Sequence, residues 1–139
     1  MNTTADIRSF HVIIDAPAPV VFAFIRNVEN LAQWSVHFAK GGVQLDRDGG
    51  AYVESPAGRV YFTITGDEAT GVIDWWSGPS KTILKRWPTR VVALSEGRTL
   101  YQVTALLSSD EAGMPNLEQI FDDELGAIKR IVEEQGVIA

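Results

Sequence analysis

The last segment of the chain constrains the fold most. Leu117, Ile120, Phe121, Leu125, Ile128, Ile131 and Val132 recur at three- and four-residue steps, with Glu118, Asp122, Asp123 and Glu133 between them. That spacing is one apolar stripe on an α-helix. Asn116 is placed to cap its start, with Gln119 three positions later in the manner of a capping box, and Gly136 is placed to stop it. About 19 residues at ~1.5 Å each give a helix of about 28 Å. No other part of the chain reads as a helix of that length, so the stripe needs a sheet to cover it.

The middle of the chain supplies strands. Six segments, near 42–46, 51–55, 59–65, 72–77, 82–95 and 99–107, are separated by Asp48-Gly49-Gly50, Pro56-Ala57-Gly58, a loop from Gly66 to Gly71, Gly78-Pro79-Ser80 and Glu96-Gly97. Connections this short imply antiparallel neighbours. Another strand precedes them at 9–15, where Phe10, Val12 and Ile14 alternate with Ser9, His11 and Ile13. Asp15-Ala16-Pro17-Ala18-Pro19 ends it and opens a short helix with Val20, Val21, Phe24 and Ile25 on one face. Asn27 caps a second short helix from Val28 to about Trp34. The order is strand, two short helices, six strands, long helix. With no linker or repeat in 139 residues, residues 1–139 read as a single α+β domain.

Turn chemistry also sorts the strand faces. Ser55 opposite Gly58 would pair Val53 with Val60 and Ala51 with Phe62. Gly66 opposite Gly71 would pair Ile64 with Ile73 and Phe62 with Trp75. Val53, Val60, Phe62, Ile64, Ile73 and Trp75 then share an apolar face. Tyr52, Glu54, Arg59, Tyr61, Thr63, Asp74 and Trp76 share the other. A two-residue turn at Glu96-Gly97 would pair Val92 with Tyr101 and Arg90 with Val103. Both faces of that last hairpin are half-apolar, so its inward side stays open. Pro88 predicts a bulge or bend in the long strand.

Charge and composition exclude several classes. The net charge is −6, and from Asp110 onward eight acids face only Lys129 and Arg130, so the excess lies in that segment. An acidic chain without clustered Lys and Arg is a poor nucleic-acid partner. Cysteine is absent, which removes disulfides, thiol nucleophiles and zinc–thiolate sites. No apolar run reaches the length of a membrane span. The N-terminus lacks a basic-then-apolar leader, which makes the cytoplasm the expected location and the glycosylation triplet Asn2-Thr3-Thr4 a chance match.

The segments Phe10-His11-Val12-Ile13-Ile14-Asp15-Ala16-Pro17, Val20-Val21-Phe22 and Asn27-Val28-Glu29-Asn30-Leu31-Ala32-Gln33-Trp34 carry a resemblance. Together with the long C-terminal helix, they are similar to the START-like (SRPBCC) helix-grip superfamily, in its bacterial polyketide cyclase/dehydrase branch. The resemblance spans nearly the whole chain. It implies a seven-stranded antiparallel sheet wrapped around the C-terminal helix, with the two short helices between the first two strands. It also implies a cavity between sheet and helix that holds an apolar or aromatic ligand. The chain carries no P-loop or dinucleotide fingerprint, so no cofactor is expected.

Several residues could serve such a site. His37 follows Trp34 near the expected cavity mouth, as a general base, a ligand contact or a surface and capping histidine. His11 reads as solvated or cross-strand. Trp34, Trp75, Trp76 and Trp87 suit either flat ring ligands or core packing, and Trp75 is the best pocket residue among them. Trp76 then points outward, where it would invite a homodimer contact. Arg90 and Tyr101 lie on the last hairpin and would bind a carboxylate or donate a hydrogen bond if inward. A buried charge needs a partner, which favours an outward Arg90. The expected ligand-binding set is Trp34, His37, Phe62, Trp75, Arg90, Tyr101, Phe121 and Leu125, with His37, Arg90 and Tyr101 the catalytic candidates. Asp46-Arg47-Asp48-Gly49-Gly50 lacks the later ligands of a calcium loop and reads as a turn. Two lone histidines predict no metal site. Asp122-Asp123-Glu124 reads as solvated helix face.

Two functions follow from this reading: a carrier or sensor for a small hydrophobic or aromatic molecule, or a polyketide cyclase/aromatase-like enzyme. A protein-interaction domain is a weaker third.

Overall fold

The computed structural model describes residues 4–138. Asn2 and Thr3 of the glycosylation triplet lie outside the described residues. The chain runs β1 (Asp6–Ile14), α1 (Ala18–Arg26), a single 3-10 turn (Val28–Asn30), α2 (Leu31–Trp34), β2 (Val43–Leu45), β3 (Ala51–Ser55), β4 (Gly58–Asp67), β5 (Val72–Ser80), β6 (Ile83–Ser95), β7 (Arg98–Leu107), α3 (Ser109–Ala112) and α4 (Leu117–Ile138). The seven strands form one antiparallel sheet in the order β1-β7-β6-β5-β4-β3-β2.

That order explains the two short helices. β1 and β2 lie at opposite edges of the sheet, so the segment between them must cross its whole width. Asn27 makes the corner: its side chain accepts from the Glu29 N–H at 3.0 Å. Val21, Phe22, Phe24 and Ile25 of α1 are buried, and Val20, expected on that face, is exposed.

The long helix packs against β1, α1 and α2. Leu117, Phe121, Leu125, Ile128 and Val132 are buried, and Ile120 and Ile131 are partly buried beside them. At about 1.5–3 kcal/mol for each fully buried large side chain, this stripe is a main source of stability. The helix ends differ from expectation. Asn116 stands at φ 64°, in the left-handed region, and Gln119 donates to Asp123 instead of closing a capping box. The capping box belongs to α3, between Ser108 and Glu111. The helix runs through Gly136 to Ile138.

The β3–β4 register is as expected, with Val53 opposite Val60 and Ala51 opposite Phe62. At β4–β5 the pairing is Ile64 with Trp75 and Asp67 with Val72. This differs from expectation by two residues, and a two-residue shift leaves every side chain on its assigned face. The turn is fixed by Gly71, at φ 75°, where a Cβ would lie 2.1 Å from the Val91 carbonyl oxygen.

The last hairpin has the expected turn, with Ser95 opposite Arg98, but Leu94 is an extra residue between Ala93 and Ser95. Beyond that bulge the register is Val91 with Tyr101 and Arg90 with Gln102. One inserted residue settles the face that the sequence left open. Thr89, Val91, Tyr101 and Val103 point inward and are buried. Pro88 carries no bulge: β6 keeps pairing with β5 through it. Its missing N–H marks instead where β6 and β7 part, since their ladder begins at Thr89.

Candidate functional site

The inner face of the sheet and the elements packed on it carry a connected set of aromatic side chains. The Trp75 ring lies 6.5 Å from Phe62 and 6.3 Å from Tyr101, centroid to centroid. Trp34, delivered by α2, covers Trp75 at 5.1 Å. Phe38, from the loop after α2, reaches Phe62 at 5.7 Å. Phe121 of α4 stacks on Phe10 of β1 at 4.3 Å and lies 6.1 Å from Trp87 of β6. Leu125 is buried one helical turn further along α4.

Polar groups in this interior are few. The Tyr101 hydroxyl donates to Thr89 Oγ1 at 2.8 Å, and Thr89 donates to the Ile73 carbonyl at 2.8 Å. Burial pushes the Tyr101 phenol well above the usual tyrosine range, so it stays a neutral donor. The indole N–H of Trp34 is buried without a hydrogen-bond partner among the described residues, whereas that of Trp75 lies by the Tyr101 hydroxyl oxygen, which can accept it.

The segment after α2 is fastened to α4 by two acids. Glu124 is only 6% exposed, although the sequence placed it on the solvated face. Its Oε2 accepts from Ser35 Oγ (3.0 Å), the His37 N–H (3.1 Å) and the Phe38 N–H (3.0 Å). Burial raises its pKa against the opposing pull of these bonds. The His37 ring meets Asp123 through Nε2 at 2.7 Å. That hydrogen bond, helped by Gln119, holds the Asp123 carboxyl below its ordinary value. His37 is therefore half-exposed, at the surface end of the latch.

A second edge of the interior lies where β6 leaves β7. Lys85 pairs with Glu111 of α3 and sits 4.3 Å over the Trp87 ring. Trp87 Nε1 donates to Ser77 Oγ at 3.0 Å.

Arg90 does not join the site. It is exposed and lines an open groove of about 350 Å³ with Pro19, Phe22, Thr70, Val91 and Val92. The Leu94 bulge is the cause, because the one-residue shift turns Arg90 out with Gln102. The three catalytic candidates, His37, Arg90 and Tyr101, are consequently not gathered at one point. His11 is exposed opposite Gln102, as expected. Trp76 is on the outer face and donates to Thr65 Oγ1 at 2.9 Å. In the turn resembling a calcium loop, the Lys81 ammonium stands 2.7 Å from both Asp46 and Asp48. No cluster of three or more metal-ligating side chains occurs among the described residues. No helix among them is long and apolar enough to cross a membrane.

No protein-family model matches the chain, and no curated protein sequence does. Solved structures do match. The Zhui aromatase/cyclase from Streptomyces sp. R1128 superposes with a TM-score of 0.67 at 16% identity, over 94% of each chain. A START superfamily protein from Mycobacterium smegmatis gives 0.59 at 15% identity, over 93% of this chain and 95% of its own. The di-domain ARO/CYC BexL, from the BE-7585A biosynthetic pathway, gives 0.66 at 18% identity, over 92% of this chain and 46% of its own. This chain has the START-like helix-grip fold.

Within that START-like frame, sequence reasoning missed Glu124, Ser35, Phe38, Lys85, Glu111 and Thr89. Glu124 had a usable signal. It lies three residues after Phe121 and four before Ile128, inside the apolar stripe. Lys85 and Thr89 had none until the register of β6 was known.

Proposed function

We infer that this chain binds a small apolar or aromatic molecule between its sheet and α4, as a carrier or sensor. The observation that carries this reading is the aromatic series Phe38–Phe62–Trp75–Trp34, with Tyr101 beside it, gathered between the sheet and the α2 segment. Such walls suit flat rings, with offset or tilted contacts at 4.5–7 Å. The polar groups are sparse and fixed, as in sites where apolar area supplies affinity and a few bonds orient the ligand. Two solved proteins sharing the fold are described as aromatase/cyclases, which supports a ring-sized ligand.

A binding role is favoured over a cyclase-like reaction by the placement of the candidate groups. Arg90 is on the outer face, and Tyr101 is a neutral phenol engaged with Thr89. The remaining candidate, His37, is engaged with Asp123 at the surface.

The test is a thermal-shift series with naphthalene, anthracene and related ring compounds. A ligand that binds only the folded state stabilises it by RT ln(1 + [L]/Kd), about 2.7 kcal/mol at a hundred times Kd. A rise in Tm that grows with ligand concentration is expected. No rise with any compound would overturn the reading.

A further inference from the structure

The segment from Ser108 to Asn116 lies against the sheet without joining the core. α3 contributes no buried residue, and residues 113–116 are exposed, whereas Leu107 before them and Leu117 after them are buried. Two polar tethers hold this strap. Lys85 of β6 pairs with Glu111, and Arg8 of β1 donates through Nη2 to the Ala112 carbonyl at 3.1 Å. Arg8 lies on the same face of β1 as Phe10, and Lys85 on the same face of β6 as Trp87 and Thr89. Those are the inner faces, since Phe10 and Thr89 are buried. β7 stands between β1 and β6, so the strap is tied to the strands on both sides of the end of β7.

This end of the sheet is also where β6 and β7 part. Their ladder begins only at Thr89 and Val103, although β6 starts at Ile83 and β7 runs on to Leu107. The aromatic rings begin directly behind the tether. Lys85 sits 4.3 Å over Trp87, Trp87 lies 6.1 Å from Phe121, and Phe121 stacks on Phe10 at 4.3 Å. A segment held by polar bonds and little apolar burial opens locally, at a lower free energy than global unfolding. A four-residue helix has no stability of its own once released. We propose that the strap is a lid, which opens at its Lys85 and Arg8 tethers and admits ring compounds past Trp87 to the interior. The entry route rests on the binding reading above. The opening belongs to the free protein and is measured without a ligand.

The Ala112, Gly113 and Met114 N–H groups donate to the Ser108, Ser109 and Glu111 carbonyls, so their hydrogen exchange reports the opening. In the unaltered protein these amides should exchange far faster than the Val103 amide in the sheet centre. Exchange in step with Val103 overturns the lid, whether or not any variant folds. Lys85→Met removes one tether, keeps an apolar stem over Trp87 and leaves the capping box of α3 in place. It should speed exchange at the three amides about fivefold. Lys81→Met breaks ion pairs to Asp46 and Asp48 in another turn and should leave the three amides unchanged. Equal effects of the two variants contradict the tether. Stopped-flow fluorescence with naphthalene should show association and dissociation both faster in Lys85→Met, with the affinity kept. Faster amide exchange with unaltered naphthalene rates overturns the entry route and leaves interior binding intact. Failure of naphthalene to bind the unaltered protein overturns the binding reading and the entry route together.

Discussion

Glu124 is the residue that holds the segment after α2 against α4. Its buried carboxylate gathers the Ser35 hydroxyl and the His37 and Phe38 N–H groups, so α4 holds the segment that carries Phe38 over Phe62. Its pKa is raised by burial, so the folded state binds its proton more tightly than the unfolded chain does. Folding stability from this group is therefore greatest at low pH. It falls as pH rises from the ordinary carboxylate range through the raised value. Glu124→Gln keeps an oxygen for the two N–H groups and removes the titration. Urea unfolding between pH 4 and 8 should show the Gln variant gaining on the parent as pH rises; parallel curves would contradict the assignment. Glu124→Leu leaves the buried donors unpaired and should cost about 3 kcal/mol at neutral pH. The sequence placed this residue wrongly because three consecutive acids read as one solvated patch. Helical geometry separates them: Asp122 is exposed, Asp123 half-buried and Glu124 buried.

At the scale of elements, periodicity was legible, and register only in the β3–β4 hairpin. The stripe from Leu117 to Val132, the β3–β4 hairpin and the corner at Asn27 follow from local chemistry, and all three form. The β4–β5 turn was misjudged by two residues without consequence, because side-chain direction repeats every two. The β6–β7 hairpin depended on a single extra residue, Leu94, that no local propensity signals. Removing Leu94 should leave a regular two-residue hairpin with Thr89, Val91 and Tyr101 still inward. The deletion variant is expected to unfold cooperatively with near-parental near-ultraviolet circular dichroism, and loss of that signal would show that the bulge is required. Gly71→Ala is the opposite case. A Cβ there meets the Val91 carbonyl at 2.1 Å in a backbone conformation at φ 75°. The loss should be about 2–3 kcal/mol by denaturant unfolding.

At the scale of the whole molecule, the acidic excess after Asp110 is used more than it is displayed. Glu111 holds Lys85, Asp123 holds His37, and Glu133 takes Lys129 and the Asp15 N–H. These carboxyls lie below their ordinary values through those partners, although burial opposes the shift at Glu111 and Glu133. Their contribution is present above the ordinary carboxylate range and is lost as pH falls through the lowered values. Each ties α3 or α4 to another part of the fold, or braces α4 itself. The sheet, the crossing helices and α4 thus enclose the aromatic series from three sides. The groove beside Phe22 and Val92 lies between the start of α1, the β4–β5 turn and β6.

The position of a bound ring within the fold tests this account most directly. Nuclear Overhauser contacts should be measured between saturating naphthalene and the isotope-labelled protein. The account predicts contacts from naphthalene to the ring protons of Trp75 and Tyr101 and to the Leu125 methyl groups, which places it between sheet and α4. Contacts confined to Pro19, Thr70 and Arg90 in the groove beside α1, or no contacts, would contradict it.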